Sequence, residues 1–132
     1  MTNVNLDSKT QMTKLTYSSV CDVVGSRLIC PVFDAVDILK VASRQKWAKI
    51  RKAVYIIIDD DGYVAYVGSV CREGDFAVCD RMKEHSKISG RNKWDRVHIL
   101  PLNSDLPESE VRKIEGKVGK RLNPYDNQKL PS

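Results

Sequence analysis

The sequence predicts a mixed α/β (α+β) domain: a small three-stranded antiparallel sheet flanked by helices, with an N-terminal hairpin and helix as an extension. Three observations lead there. Residues 54–58 and 63–67 are rich in β-branched and aromatic side chains and flank the turn-forming Asp59-Asp60-Asp61-Gly62, the pattern of a β-hairpin. The stretch WDRVHIL, ending before Pro101, alternates as a third strand would, and antiparallel addition to the hairpin is its simplest placement. Val111, Ile114, Val118 and Leu122 recur at helical spacing and form an apolar stripe that needs a sheet or helix to cover it. A chain of 132 residues, 42% of them hydrophobic, is one domain's worth and can bury a core.

The remaining elements follow in order. Residues 1–13 are polar and aperiodic, which suggests a flexible tail. Residues 14–50 form the extension. Apolar residues on both sides of Gly25-Ser26 suggest a second hairpin over residues 15–33, with Pro31 at an edge or strand end. Asp34 can cap a helix, with Asp37 three positions later; Ala35, Ile38, Leu39 and Ala42 would share its apolar face, and it would run to about Ile50. After the central hairpin, the connection SVCREGD leads into a helix over residues 75–86, which a Ser89-Gly90 break follows. Pro107 suits the first turn of the last helix, with Ser104 or Asp105 as cap. On that helix Glu115 falls about 50° from the centre of the apolar stripe, whereas Arg112, Lys113, Lys117, Lys120 and Arg121 lie well away from it. A carboxylate on the packed side of an otherwise basic helix is unusual.

A net charge of +5 and a pI near 9.1 favour an acidic partner. The excess is uneven: residues 40–52 hold six basic residues and no acidic one, among them Lys46, Lys49, Arg51 and Lys52 around Trp47. Such a stretch can contact a nucleic-acid backbone, or it can bury Trp47 and leave its cations solvated. No apolar run approaches the roughly 18 residues of a membrane span, and the polar N-terminus lacks the apolar segment of a signal peptide, so a cytosolic protein is expected. Cys21, Cys30, Cys71 and Cys79 then need no disulfides. Cys71 and Cys79 with His85 or His98 match no common zinc spacing. Asp59, Asp60 and Asp61 are explained by turn chemistry.

Several residues recur in a familiar order. Ala53-Val54-Tyr55, ten intervening residues, and Tyr66-Val67-Gly68 are followed by Arg81-x-x-x-His85, Glu115 and the terminal LNPYDN. Over residues 51–129 this resembles the GIY-YIG nuclease superfamily. The chain departs from that pattern at Ala53 and Val67, which replace a glycine and an isoleucine. Its longer connection before Arg81 leaves Arg72 as a competing arginine, and Asn123 competes with Asn127 for the closing asparagine.

The resemblance implies metal-dependent hydrolysis of a phosphodiester in double-stranded DNA, in the manner of a phage or mobile-element nicking enzyme, with Mg²⁺ or Mn²⁺ as cofactor. Glu115 would ligate the metal, and Arg81 would hold the scissile phosphate through its fork of donors. Either Tyr55 or His85 would take the proton from water, with Tyr66 beside them and Asn127 closing the site. A tyrosine can act as base near neutral pH only where its phenolate is favoured, whereas histidine titrates there without help. Gly68 would allow close approach at the end of its strand, and Arg72, Lys46, Lys49, Arg51 and Lys52 would contact the DNA backbone. As a monomer the protein would cut one strand per encounter, and as a homodimer it could cut two. The alternatives are a catalytically silent DNA-binding module, a structure-specific repair nuclease, and a regulator that binds a protein through residues 14–50.

Overall fold

A computed structural model describes residues 9–29, 35–38, 40, 48–86 and 94–126. The described chain is mixed α/β. Helix α1 (Lys14–Val24), a 3₁₀ turn (Gly25–Arg27) and the short strand β1 (Val36–Asp37) precede the hairpin of β2 (Lys52–Asp59) and β3 (Val64–Cys71). Helix α2 (Ala77–Ser86), strand β4 (Trp94–Pro101) and helix α3 (Glu108–Leu122) complete it. The four strands form one antiparallel sheet in the order β1-β4-β2-β3.

β2 is central because its sequence leaves no polar face: Ala53 through Asp59 are all buried. Alternate side chains then feed two cores. On one face Val54, Ile56 and Ile58 meet Val67, Leu100, Tyr17, Val20 and Val24 of α1, and the α3 stripe Val111, Ile114, Val118 and Leu122. On the other, Tyr55 and Ile57 meet Val97, Ile99, Ile38, and Val78 and Met82 of α2. Each fully buried aliphatic side chain contributes about 1.5–3 kcal/mol. That burial is what holds a 15-residue helix such as α3, which would be marginal alone.

The hairpin, the third strand and the last helix lie where the sequence places them. The sheet has a fourth strand because Val36 and Asp37 pair with Val97 and Arg96. Those two residues were expected in a helix; their pairing covers the outer edge of β4, an edge the helix would have left open. The same helix was expected to reach Ile50, but Ala48 and Lys49 form a turn. Its proposed cap Asp34, and Leu39, Ala42, Lys46 and Trp47, lie outside the described residues.

The expected hairpin over residues 15–33 is instead α1. The Thr13 hydroxyl accepts the Thr16 N–H at 3.2 Å as a helix N-cap. Gly25, expected in a hairpin turn, ends the helix at φ +64°, where an L side chain would be strained. Tyr17, Val20 and Val24 form a helical stripe buried against α3, so tertiary packing overrides the strand preference of the β-branched residues. Nor are residues 9–13 a loose tail. The Val64 N–H donates to the Thr10 carbonyl at 2.8 Å and the Met12 N–H to that of Gly62 at 2.9 Å, covering the start of β3. The cap of α3 is Pro107 itself, and among the described residues no side chain, Ser104 and Asp105 included, caps the helix start. No helix among the described residues is long and apolar enough to cross a membrane.

Candidate active site

Tyr55 faces Gly68 across the β2–β3 ladder. Its ring crosses directly over that glycine: a Cβ at position 68 would lie 2.4 Å from the Tyr55 hydroxyl and 2.5 Å from Cζ. Gly68 thus has a steric purpose, a trough for the phenol on its way toward the sheet edge. There the hydroxyl meets two side chains of α2. Its oxygen is 2.6 Å from His85 Nε2 and accepts from Arg81 Nε at 3.1 Å. Spaced four apart, Arg81 and His85 share one helical face.

The donor inventory fixes the direction of the Arg81 hydrogen bond. A guanidinium can only donate, so the phenol oxygen is the acceptor from Arg81. The phenol's own proton finds only His85 Nε2 as an acceptor among the described residues. With the ring neutral and its proton on Nδ1, His85 Nε2 accepts that proton. Tyr55 is fully buried, and that desolvation raises its pKa well above the ordinary phenol range despite the nearby Arg81 charge. In this arrangement the phenol is a neutral donor to His85 and not a standing phenolate. Tyr66 lies beside the pair, its ring centroid 6.2 Å from that of Tyr55 and 5.2 Å from that of His85, and Trp94 packs 5.0 Å from Tyr66.

Glu115 approaches from the opposite face of the sheet. It is buried on α3, where its carboxylate accepts a hydrogen bond from the Ser69 hydroxyl, the residue next to Gly68. Burial raises its pKa; the Ser69 hydrogen bond and the charges of Arg112 and Arg81 offset part of that. The Arg81 charge reaches Glu115, and the Glu115 charge reaches Tyr55, so the groups act on one another around edge strand β3. Only one Glu115 oxygen is engaged by the described residues, which leaves the other for a cation. A single buried carboxylate fits a Mg²⁺ or Mn²⁺ site completed by water and phosphate oxygens. The three clustered aspartates at the hairpin tip are a different matter. Asp59 accepts from Asp61 N–H and Tyr63 N–H at 2.9 Å each and from the Tyr125 hydroxyl at 2.6 Å, while Asp60 and Asp61 are exposed.

Ser69, Arg72, Arg81, Glu108 and Arg112 line an open cleft of about 200 Å³ beside this cluster. The two competing arginines are both there: Arg72 and Arg81 donate to the same Glu84 oxygen at 2.9 and 3.1 Å. Other expected contacts lie elsewhere. Lys49 and Arg51 grip Asp75 at 2.9 and 3.0 Å. Lys52 donates to the Ser104 carbonyl at 2.7 Å and to that of Leu106, which anchors the loop before α3. Asn123 ends α3 in a left-handed conformation at φ +50°. Lys46 and Asn127 lie outside the described residues.

Sequence reasoning overlooked Ser69, Glu84 and Arg112. Ser69 was next to a named glycine, and Glu84 sits between Arg81 and His85 on the same helix. Arg112 faces away from the apolar stripe, as expected, and that direction is into the cleft. Comparison with known protein families, with characterised proteins and with solved structures finds no match to this chain.

Proposed function

We propose that this protein is a metal-dependent DNA endonuclease of the GIY-YIG type. The observation that carries the reading is the Tyr55 hydroxyl held between His85 Nε2 and Arg81 Nε, with Glu115 within electrostatic reach. Three segments far apart in sequence bring a proton acceptor, a phosphate ligand and a carboxylate to one strand edge, the parts that phosphodiester hydrolysis requires.

Arg81 binds the scissile phosphate with the donors it does not spend on Tyr55 and Glu84. Tyr55 relays a proton: its oxygen receives one from the attacking water as its own passes to His85 Nε2, so no free phenolate is needed. His85 is the terminal base. Ser69 orients the Glu115 carboxylate, which would hold Mg²⁺ or Mn²⁺. Bound there, the cation would neutralise charge developing on the phosphate oxygens. The substrate is double-stranded DNA in the cytosol, and one such cluster among the described residues makes nicking the expected outcome for a monomer.

A second reading, a DNA-binding module without cleavage, draws on the burial of Tyr55 and His85, which are 0% and 3% exposed. In that form water reaches the phenol only after local opening. A supercoiled-plasmid assay with Mg²⁺, with Mn²⁺ and with chelator separates the two. Metal-dependent open circles that disappear in Glu115→Ala and Tyr55→Phe support the nuclease. Linear product points to paired active sites. No cleavage under any metal, with salt-sensitive DNA binding retained, favours the module.

A further inference from the structure

Arg72 follows β3, Arg81 and Glu84 lie one turn apart on α2, and a single oxygen of Glu84 holds both guanidiniums at 2.9 and 3.1 Å. An exposed ion pair of this kind adds little to stability. The three side chains are 32–48% exposed, and both arginines line the cleft. The arrangement gathers two like charges that would otherwise repel. Among the described residues, Arg81 keeps donors beyond the two it uses, and Arg72 uses only one of its five side-chain donors. A phosphodiester offers two non-bridging oxygens, an acceptor set suited to two guanidiniums.

We propose that Glu84 is a positioning residue that gathers Arg72 and Arg81 into one two-arginine phosphate subsite. It rests on the nuclease reading for its kinetic half and on DNA binding alone for the other. Glu84 lowers affinity, because its negative charge lies beside the incoming phosphate. In return it sets where Arg81 stands relative to Tyr55. Affinity and turnover should therefore move in opposite directions when it is changed.

The test is duplex binding by fluorescence anisotropy in chelator across a NaCl series, paired with single-turnover cleavage in Mg²⁺. Glu84→Gln should bind several-fold tighter yet cut at least about tenfold more slowly, the loss seen when a positioning contact is removed. Glu84→Asp keeps the charge but shortens the reach, so it should bind like wild type and still cut slowly. Arg72→Gln should bind more weakly and lower the slope of log K against log[salt] by about 0.9, one phosphate contact. Asp22→Asn, an exposed change on α1, controls for net charge.

Wild-type cleavage by both Glu84 variants, tightening no greater than that of Asp22→Asn, or an unchanged salt slope in Arg72→Gln overturns the proposal. If wild type binds DNA but never cuts it, the nuclease reading fails while the subsite is still tested: Glu84→Gln should then tighten binding only when Arg72 is present. Equal tightening in the Arg72→Gln background refutes the clamp. If wild type does not bind DNA at all, both ideas fall.

Discussion

The two ends of the β2–β3 hairpin each bury a carboxylate, and they treat it in opposite ways. At the tip, Asp59 accepts three hydrogen bonds, from Asp61, Tyr63 and Tyr125. Burial alone would raise its pKa, but those bonds, with Lys9 nearby, hold it below the usual carboxylate range. Toward the other end, Glu115 accepts only from Ser69 among the described residues, and burial raises its pKa. A fully bonded carboxylate stabilises the fold, whereas a buried one left short of donors burdens the fold and is available to a ligand. The difference separates a carboxylate bonded into the fold from one left with an open oxygen among the described residues more clearly than residue type does.

The contrast is broken most strongly at Glu115. Glu115→Gln should lower cleavage by about 10²–10³-fold, the scale for losing a group that stabilises transition-state charge. The same variant should melt at a higher temperature than wild type at neutral pH, because the neutral amide carries no buried charge. The sign follows from linkage: a carboxyl whose folded pKa is raised destabilises the fold above that value, and the penalty vanishes below the unfolded pKa. The gain in melting temperature should therefore fade in acid. A variant that is both inactive and less stable would show that the charge of Glu115 supports the fold.

Next in size is Gly68→Ala, whose new methyl would meet the Tyr55 hydroxyl, Cζ and Cε1 at 2.4, 2.5 and 2.9 Å. Such overpacking costs about 1–3 kcal/mol. Cleavage should fall as well, because the displaced phenol loses His85 and Arg81. Denaturant melts and plasmid nicking read the two effects separately.

At the tip the linkage runs the other way. Asp59→Asn should destabilise by about 1.5–3 kcal/mol at neutral pH, the worth of hydrogen bonds to a charged acceptor. The stability that Asp59 adds is present above the unfolded carboxylate pKa, near 3.9, and is lost as pH falls through its lower folded value. The gap between wild type and Asp59→Asn should accordingly close below about pH 4 in thermal melts across that range. Tyr125→Phe removes a single donor and should cost the least, about 0.5–1.5 kcal/mol, with nicking unchanged.

Much of the fold was legible because its signals are local. The β-branched and aromatic runs of β2 and β3, the turn at Asp59 to Gly62, the alternation of β4 and the stripe on α3 each specify an element without reference to the rest of the chain. The presence of Glu115 on the packed side of α3 was equally readable from helical period. The extension was not. Val20, Val23 and Val24 favour strand by local propensity, and only the groove against α3 makes their spacing a helix. Val36 and Asp37 become a strand because β4 has an edge to cover, a fact that exists only once the sheet has formed.

By itself the sequence determined which chemical groups are present, their order, and the helical faces that pair Arg81 with His85 and turn Glu115 inward. Tertiary structure alone decided that Tyr55 crosses Gly68 to reach both α2 residues, that Glu115 and Tyr55 approach from opposite faces of one edge strand, and that Arg72 joins Arg81 on Glu84. The physical reason is that periodicity encodes the direction of a side chain within its own element. The distance between side chains of different elements depends on register, burial and charge, and those arise when the elements pack.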